Sequence, residues 1–180
     1  MLDFGLQGKT AIVCASSKGL GLGCARALSQ VGVNLVMCAR GEEQLVASAD
    51  QIRKDTGVEV KTVACDITSE AGRAEVLAAA GHVDILVNNA GVGHGIDGLD
   101  NLPLHLIQEA VDINVTTPIK LTAAVMEEMR AQGKGHIVNI GSIAGLHTLY
   151  SALYGATKSA VHLFSQNLRA ELSGTPIRVT

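Results

Sequence analysis

The feature that most restricts this chain is a repeated change of hydrophobic period. Five short runs rich in valine and isoleucine, TAIVCA (10–15), NLVMCA (34–39), EVKTVAC (59–65), VDILVN (83–88) and GHIVNIG (135–141), alternate with helix-period segments at 20–31, 43–56, 69–80, 103–131 and 152–173. The runs lack strict alternation of apolar and polar residues, so each suits a strand buried on both faces. A strand, a helix and a second strand in succession return by a right-handed crossover, which makes the strands parallel and puts helices on both faces. The expected fold class is therefore α/β, a doubly wound parallel sheet between two helical layers. No repeat, low-complexity tract or linker divides the chain, so residues 1–180 read as a single domain. IRVT (177–180) reads as the opening of a sixth strand.

Composition removes several function classes. Hydrophobic residues at 47% and charged residues at 17% exclude disorder. A net charge of −3 without a basic run argues against nucleic acid as a partner. No apolar stretch approaches the roughly 18 residues of a membrane helix, so no membrane partner is expected. The opening MLDFGLQGK lacks the basic and apolar regions of a signal peptide. Cys14, Cys24, Cys38 and Cys65 show no C-x-x-C spacing and read as reduced core thiols of a cytoplasmic protein. No metal site is expected.

VCASSKGLGLG (13–23) joins the first strand to the first helix. Glycines there let the backbone approach a ligand, and a helix N-terminus offers free N–H groups to a phosphate. The spacing departs from G-x-G-x-x-G, and no Gly-Lys-Ser/Thr follows to make a Walker-type loop. Turn geometry alone is the competing explanation, but its place after the first strand favours a dinucleotide. At the end of the second strand stand Ala39 and Arg40, where an acidic residue would bond the ribose 2′-hydroxyl of NAD. With Lys18 in the glycine turn, Arg40 favours the 2′-phosphate of NADP; otherwise both are surface cations. Asp66, after the third strand, either accepts a bond from the adenine amino group or caps the next helix.

Tyr154 and Lys158 are four residues apart on an apolar helical segment and share a face. The pair is either a solvated edge or a chemical unit. A free phenol titrates near ~10 and is a poor base at neutrality; an adjacent ammonium stabilises the phenolate and makes it usable. Ser142 lies just past the fifth run, where a hydroxyl either orients a substrate oxygen or forms a turn. Asn114 falls on the apolar face of 103–131, in register with Ile107 and Val111. Pro118 has no N–H for the Asn114 carbonyl. That carbonyl then either holds a water leading to Lys158, or the proline makes a plain kink and the Asn114 side chain bonds a neighbouring strand.

In order along the chain stand GLG (19–21), CDI (65–67), NNAG (88–91), DINV (112–115), GSIAG (141–145) and YGATK (154–158). With these motifs the chain resembles the classical short-chain dehydrogenase/reductases over nearly all of its 180 residues. The resemblance implies a Rossmann-type domain and a catalytic tetrad of Asn114, Ser142, Tyr154 and Lys158. It implies cofactor contacts from Ser16, Ser17, Lys18, Gly19, Leu20 and Gly21 in the turn, and from Arg40, Asp66 and Ile67. Asn89, Ala90 and Gly91 would support the sheet and pass the ribose, with Tyr154 and Lys158 at its far side. The family wording T-G-x-x-x-G-x-G is altered, since Cys14 replaces the threonine and Ala15 the first glycine. The implied activity interconverts a ketone and a secondary alcohol, in the manner of 3-oxoacyl-carrier-protein reductases, with NADP preferred and NAD possible. Homodimers or homotetramers would form through helices 103–131 and 152–173. Relative to the family, the chain stops before the substrate lid and final strand, so the alternative is a truncated dinucleotide-binding module with little or no activity. A protein that kept the fold only for interactions is the remaining reading, and an intact tetrad argues against it.

Overall fold

The computed structural model describes residues 4–95, 98–100, 102–148 and 151–180. Six strands form one sheet: β1 (Thr10–Cys14), β2 (Asn34–Ala39), β3 (Val60–Ala64), β4 (Ile85–Asn88), β5 (Gly135–Asn139) and β6 (Ile177–Val179). All neighbouring strands are parallel, in the order β3-β2-β1-β4-β5-β6. The sixth strand expected from IRVT is there, paired with β5. The helices are α1 (Gly19–Gln30), α2 (Glu42–Thr56), α3 (Glu70–Ala80), α4 (Leu104–Val111), α5 (Thr117–Gln132) and α6 (Ala152–Glu171).

The sheet separates two cores. Ala11 and Val13 of β1, with Leu35 and Met37 of β2, pack against Ala25 of α1 and Leu45, Ala49 and Ile52 of α2. Ile12 and Cys14, with Val36 and Cys38, turn the other way toward Val76 of α3, Leu121 and Val125 of α5 and Leu168 of α6. Both faces of β1 are closed, with Ala11 through Cys14 at most 1% exposed. That double burial is why the sequence shows continuous apolar runs instead of alternation. Among the described residues no helix is long and apolar enough to cross a membrane.

The segment expected as one helix over 103–131 is a corrected reading. It consists of α4, a π-helical turn at Asp112–Thr116, and α5. Pro118 supplies the reason. It has no N–H to donate to the carbonyl four residues back, and the chain widens locally. The Thr117 N–H and hydroxyl both bond the Asp112 carbonyl, five residues back, the latter at 2.7 Å. The helix continues in direction but changes register at Asn114.

At the sheet edge where the strands begin, Asp84 anchors β1 and the segment leading into β5. Its carboxylate accepts from the Thr10 N–H at 3.0 Å and Lys9 Nζ at 3.1 Å, and His82 and Lys134 stand at 3.1 and 3.6 Å. Burial alone would raise its pKa, but the Thr10 and Lys9 bonds outweigh it and hold the carboxyl below its ordinary value of 3.8. A depressed carboxyl stabilises the fold fully above that ordinary value and loses the contribution as pH falls through the folded-state value. Asp84→Asn is expected to cost about 1–3 kcal/mol in urea unfolding at pH 7. The difference from the parent should shrink as the pH is taken below 3.8. A pH-independent difference would contradict this assignment.

Candidate active site

The chain leaves β1 toward β2 and β3 on one side and reaches β4 and β5 on the other. Connections that diverge in this way leave a crevice above the strand ends. Here it is a cleft of about 510 Å³. Ala15, Ser17 and Lys18 after β1 form its floor, with Arg40 after β2, Asp66 and Ile67 after β3, and Ala90 and Gly91 after β4.

The glycine turn is built by close approach. Asn89 Nδ2 donates to the carbonyls of Cys14 at 3.0 Å and Ala15 at 3.2 Å. A Cβ on Gly21 would stand 2.5 Å from that nitrogen and overlap the Ala15 carbonyl oxygen. Gly21 thus lets the first turn of α1 lie against the end of β1. Gly19, at φ 59, has nothing within 4 Å, so its requirement is conformational. Ala15 is the one described non-glycine residue with positive φ, at 51°. The alanine that replaces the family's glycine therefore sits in the left-handed region, at a cost of about 1–2 kcal/mol.

The start of α1 suits an anion. Lys18 is its N-cap in extended conformation, no side chain caps it, and its first turn holds no acidic residue. Its leading N–H groups remain for a ligand. Ser17 is tied to α2 through its carbonyl, which accepts from Ser48 Oγ at 2.9 Å. Ser16 is fully buried, and its Oγ has no hydrogen-bond partner among the described residues. Leu20 is 73% exposed, so it is not held by the protein core. A bare helix start, an orphaned hydroxyl and a close-packed glycine turn together fit a bound dinucleotide.

At the second wall, Arg40 and Lys18 are both exposed and both line the cleft. Asp66 is not the cap of α3; Ser69 is, with its Oγ accepting from the Gly72 N–H at 3.0 Å. Asp66 Oδ1 instead accepts from the Thr68 hydroxyl at 2.7 Å and N–H at 2.9 Å. Those bonds, with Arg40 and Arg73 nearby, hold its carboxyl below the ordinary range. Beneath this wall Cys14 lies opposite Cys38 in register, and Cys38 Sγ donates to the Val13 carbonyl at 3.9 Å. The neighbouring Cys14 and burial push the Cys38 thiol up, and Cys38 and burial push Cys65 up, which keeps both as neutral thiols.

Of the four candidate catalytic residues, Asn114 and Lys158 meet at Gly91, Tyr154 stands beside Lys158, and Ser142 lies in the turn after β5. Asn114 is 1% exposed, and its side chain is fully engaged: Oδ1 accepts from the Val92 N–H at 2.8 Å, and Nδ2 donates to the Val92 carbonyl at 2.8 Å and Thr157 Oγ1 at 3.0 Å. Lys158 is 5% exposed and donates to the Ile140 carbonyl at 2.8 Å. Burial pushes its pKa below the ordinary lysine value. Its ammonium lies 5.9 Å from the centre of the Tyr154 ring. The pair is therefore no solvated edge on the lysine side. Ser142 opens a single 3-10 turn, Ile143–Gly145, and its Oγ accepts from the Ala144 N–H at 3.1 Å. That turn packs directly on α6. A Cβ on Gly145 would lie 2.6 Å from the Lys158 carbonyl carbon, and one on Gly155 3.1 Å from the Ala144 carbonyl oxygen. A Cβ on Gly91 would touch Asn114 Oδ1 at 3.4 Å and Lys158 Nζ at 3.5 Å, both ordinary contacts.

Sequence reasoning missed Gln44, Val92 and Ile113, which also line the cleft. Val92 and Ile113 are adjacent in sequence to Gly91 and Asn114, which was the available signal. Gln44, in the first turns of α2, carried none. Among the described residues no group of three histidines, cysteines or carboxylates is placed to hold a metal ion.

Comparison with known proteins agrees with this geometry. A family model described as short chain dehydrogenase matches residues 9–180. An uncharacterized oxidoreductase of Staphylococcus epidermidis is 32% identical over 177 residues, covering 96% of this chain and 75% of the relative. The bulky-bulky ketone specific alcohol dehydrogenase of Comamonas testosteroni superposes with a TM-score of 0.89 at 35% identity, over 96% of this chain and 70% of that one. L-Sorbose reductase of Gluconobacter frateurii, complexed with NADPH and L-sorbose, gives 0.91 at 32% identity, over 99% and 69%.

Two substitutions in the glycine turn should move stability in opposite directions. Gly21→Ala forces a backbone overlap and is expected to cost about 1–3 kcal/mol, together with cofactor affinity. Ala15→Gly relieves the left-handed alanine and should stabilise by about 1 kcal/mol. Chemical unfolding of the two variants checks both signs.

Proposed function

This chain belongs to the short-chain dehydrogenase family, and we propose that it interconverts a ketone and a secondary alcohol with NADP(H) as the preferred hydride carrier. One observation carries the reading: a buried ammonium, Lys158, beside Tyr154 at the end of a phosphate-ready cleft. NADPH in the sorbose reductase and a ketone substrate in the Comamonas enzyme support it. Exposed Arg40 and Lys18 at the cleft support NADP over NAD, which remains an accepted alternative carrier.

When bound, the nicotinamide gives or takes the hydride. The protein does the rest. Tyr154 delivers the proton to the carbonyl oxygen in reduction and removes it in oxidation. Lys158, stripped of water, stabilises negative charge developing on the phenol oxygen and holds the ribose. Ser142 orients the substrate oxygen. Asn114 holds the loop after β4 and, through its main-chain carbonyl, a water leading toward Lys158. Ser16, Ser17, Lys18, Gly19, Leu20 and Gly21 would carry the pyrophosphate, Arg40, Asp66 and Ile67 the adenosine, and Asn89, Ala90 and Gly91 the second ribose.

We read residues 1–180 as one dinucleotide-binding domain, whose four free thiols suit the cytoplasm. A 3-oxoacyl-carrier-protein-type ketone is one substrate candidate; L-sorbose and bulky ketones complete the panel to be assayed. The outer faces of α5 and α6 carry Ile119 at 39% and Leu163 at 56% exposure, and we assign them to a homodimer or homotetramer. Light scattering should then give two or four times 18.6 kDa.

Tyr154→Phe is expected to lower ketone reduction by about 10²–10⁴-fold while NADPH affinity and fold persist. Lys158→Met should lose both turnover and affinity. It should also leave the unfolding free energy unchanged or raise it by up to about 2 kcal/mol, because an apolar side chain replaces a buried charge. The double variant should be no worse than the poorer single one. Retained turnover in Tyr154→Phe would refute the proposal; cofactor binding without turnover in the parent chain would favour a binding module.

A further inference from the structure

Two side chains beside the cleft, Glu109 and His94, take no part in the roles above, and they meet one that does. Arg40, just past β2, directs Nη1 at Glu109 Oε1 of α4 at 3.8 Å. The other Glu109 oxygen meets His94 Nε2 at 2.9 Å. Arg40 belongs to one wall of the cleft; Val92 and Ile113, neighbours of His94 and Glu109 in sequence, belong to the opposite wall. The contact therefore ties the Arg40 wall to α4, with the Arg40 side chain 72% exposed and that of Glu109 35%.

We propose that Glu109 is a specificity-determining residue, whose carboxylate competes with the 2′-phosphate of NADP(H) for the Arg40 guanidinium. The inference rests on the NADP reading given above. A long, half-exposed ion pair is weak, so Glu109 modulates the cleft and does not block it. A guanidinium has five donors and can serve two acceptors at once. A phosphate that reaches Arg40 nevertheless enters the field of the Glu109 carboxylate, a like charge well within the screening length of about 10 Å at 0.1 M salt. NADH brings no such phosphate. The penalty falls on NADPH alone, which narrows the discrimination that Arg40 provides. His94 is a positioning residue: its bond to Oε2 fixes the carboxylate so that Oε1 faces Arg40.

Dissociation constants for NADPH, NADH and 2′,5′-ADP, measured by titration calorimetry on the parent chain, Glu109→Gln, Arg40→Ala and the double variant, test this. Glu109→Gln should raise the NADPH:NADH affinity ratio about threefold to tenfold and tighten 2′,5′-ADP to match. His94→Ala should shift the ratio in the same direction by less. On the Arg40→Ala background the Glu109 effect should vanish. A merely structural role would move both cofactors equally. An unchanged or lowered ratio in Glu109→Gln, or an effect that survives Arg40→Ala, overturns the proposal. Glu109→Ala, which also lacks the charge, must agree with Glu109→Gln. A parent chain that binds NADH as well as NADPH and ignores 2′,5′-ADP would remove the NADP reading and this inference with it.

Discussion

The side chain of Asn114 joins three parts of the molecule that are remote in sequence. Its amide pairs with both main-chain groups of Val92, as a neighbouring strand would, and its nitrogen reaches Thr157 on α6. An amide at 1% exposure needs such partners, since an unmet polar group there is costly. Its direction comes from the turn around it. Pro118 withholds one N–H, the helix widens to a π turn, and each inserted residue rotates the downstream helix by about 100°. A regular helix over the same segment would carry the later residues on a different face. The proline, the π turn and the amide act as one device, which holds the backbone at Val92 beside Gly91.

Lys158 is the second party to that device. It stands with the Asn114 carboxamide at Gly91, and its ammonium rests on the Ile140 carbonyl. Taking a cation out of water disfavours its charged form, and here nothing but burial accounts for the lowered pKa. A lysine so placed contributes little to stability by itself. In the proposed reading a phenol oxygen and a ribose use its charge, and desolvation makes that charge more effective at short range. The packing that confines it is ordinary: Gly145 lets the turn after β5 touch the backbone at Lys158, and Ser159 donates to the Gly145 carbonyl at 2.8 Å.

The layers and strand pairing were legible because β-branched runs and helical periods are local signals. All the runs became strands and IRVT added the sixth; β1 and β5 end short of their runs, where the chain turns into the cleft, while β2 fills its run. The Tyr154–Lys158 pair was legible from spacing alone. Three features were not. The left-handed Ala15 is held by Asn89, a residue seventy-four positions away. The π turn depends on where a wider turn costs least, which sequence periodicity does not encode. Asp66 reads equally well as a helix cap, but Ser69, three residues on, takes that place and leaves Asp66 facing the cleft. In each case what decides is a contact or a turn geometry that hydrophobic periodicity does not carry.

Charge fixes which way round a dinucleotide would lie. The uncapped start of α1 lies centrally, on the loop after β1, and draws the pyrophosphate. On the β2–β3 side stand two exposed cations, Lys18 and Arg40, with Asp66 and Ile67 beyond them. That wall accepts an anionic substituent and a base edge. On the β4–β5 side the polar groups are buried and few: Asn114 is occupied by Val92 and Thr157, and Lys158 by one carbonyl. A phosphate driven there would have to be desolvated almost completely, against a cost of several kcal/mol per ion. An uncharged ribose needs only hydroxyl bonds, which a lysine on a backbone carbonyl can provide by rotation of its remaining donors. In the proposed reading the exposed cations thus select the phosphate-bearing end of NADP, and the buried one the end where the chemistry would occur.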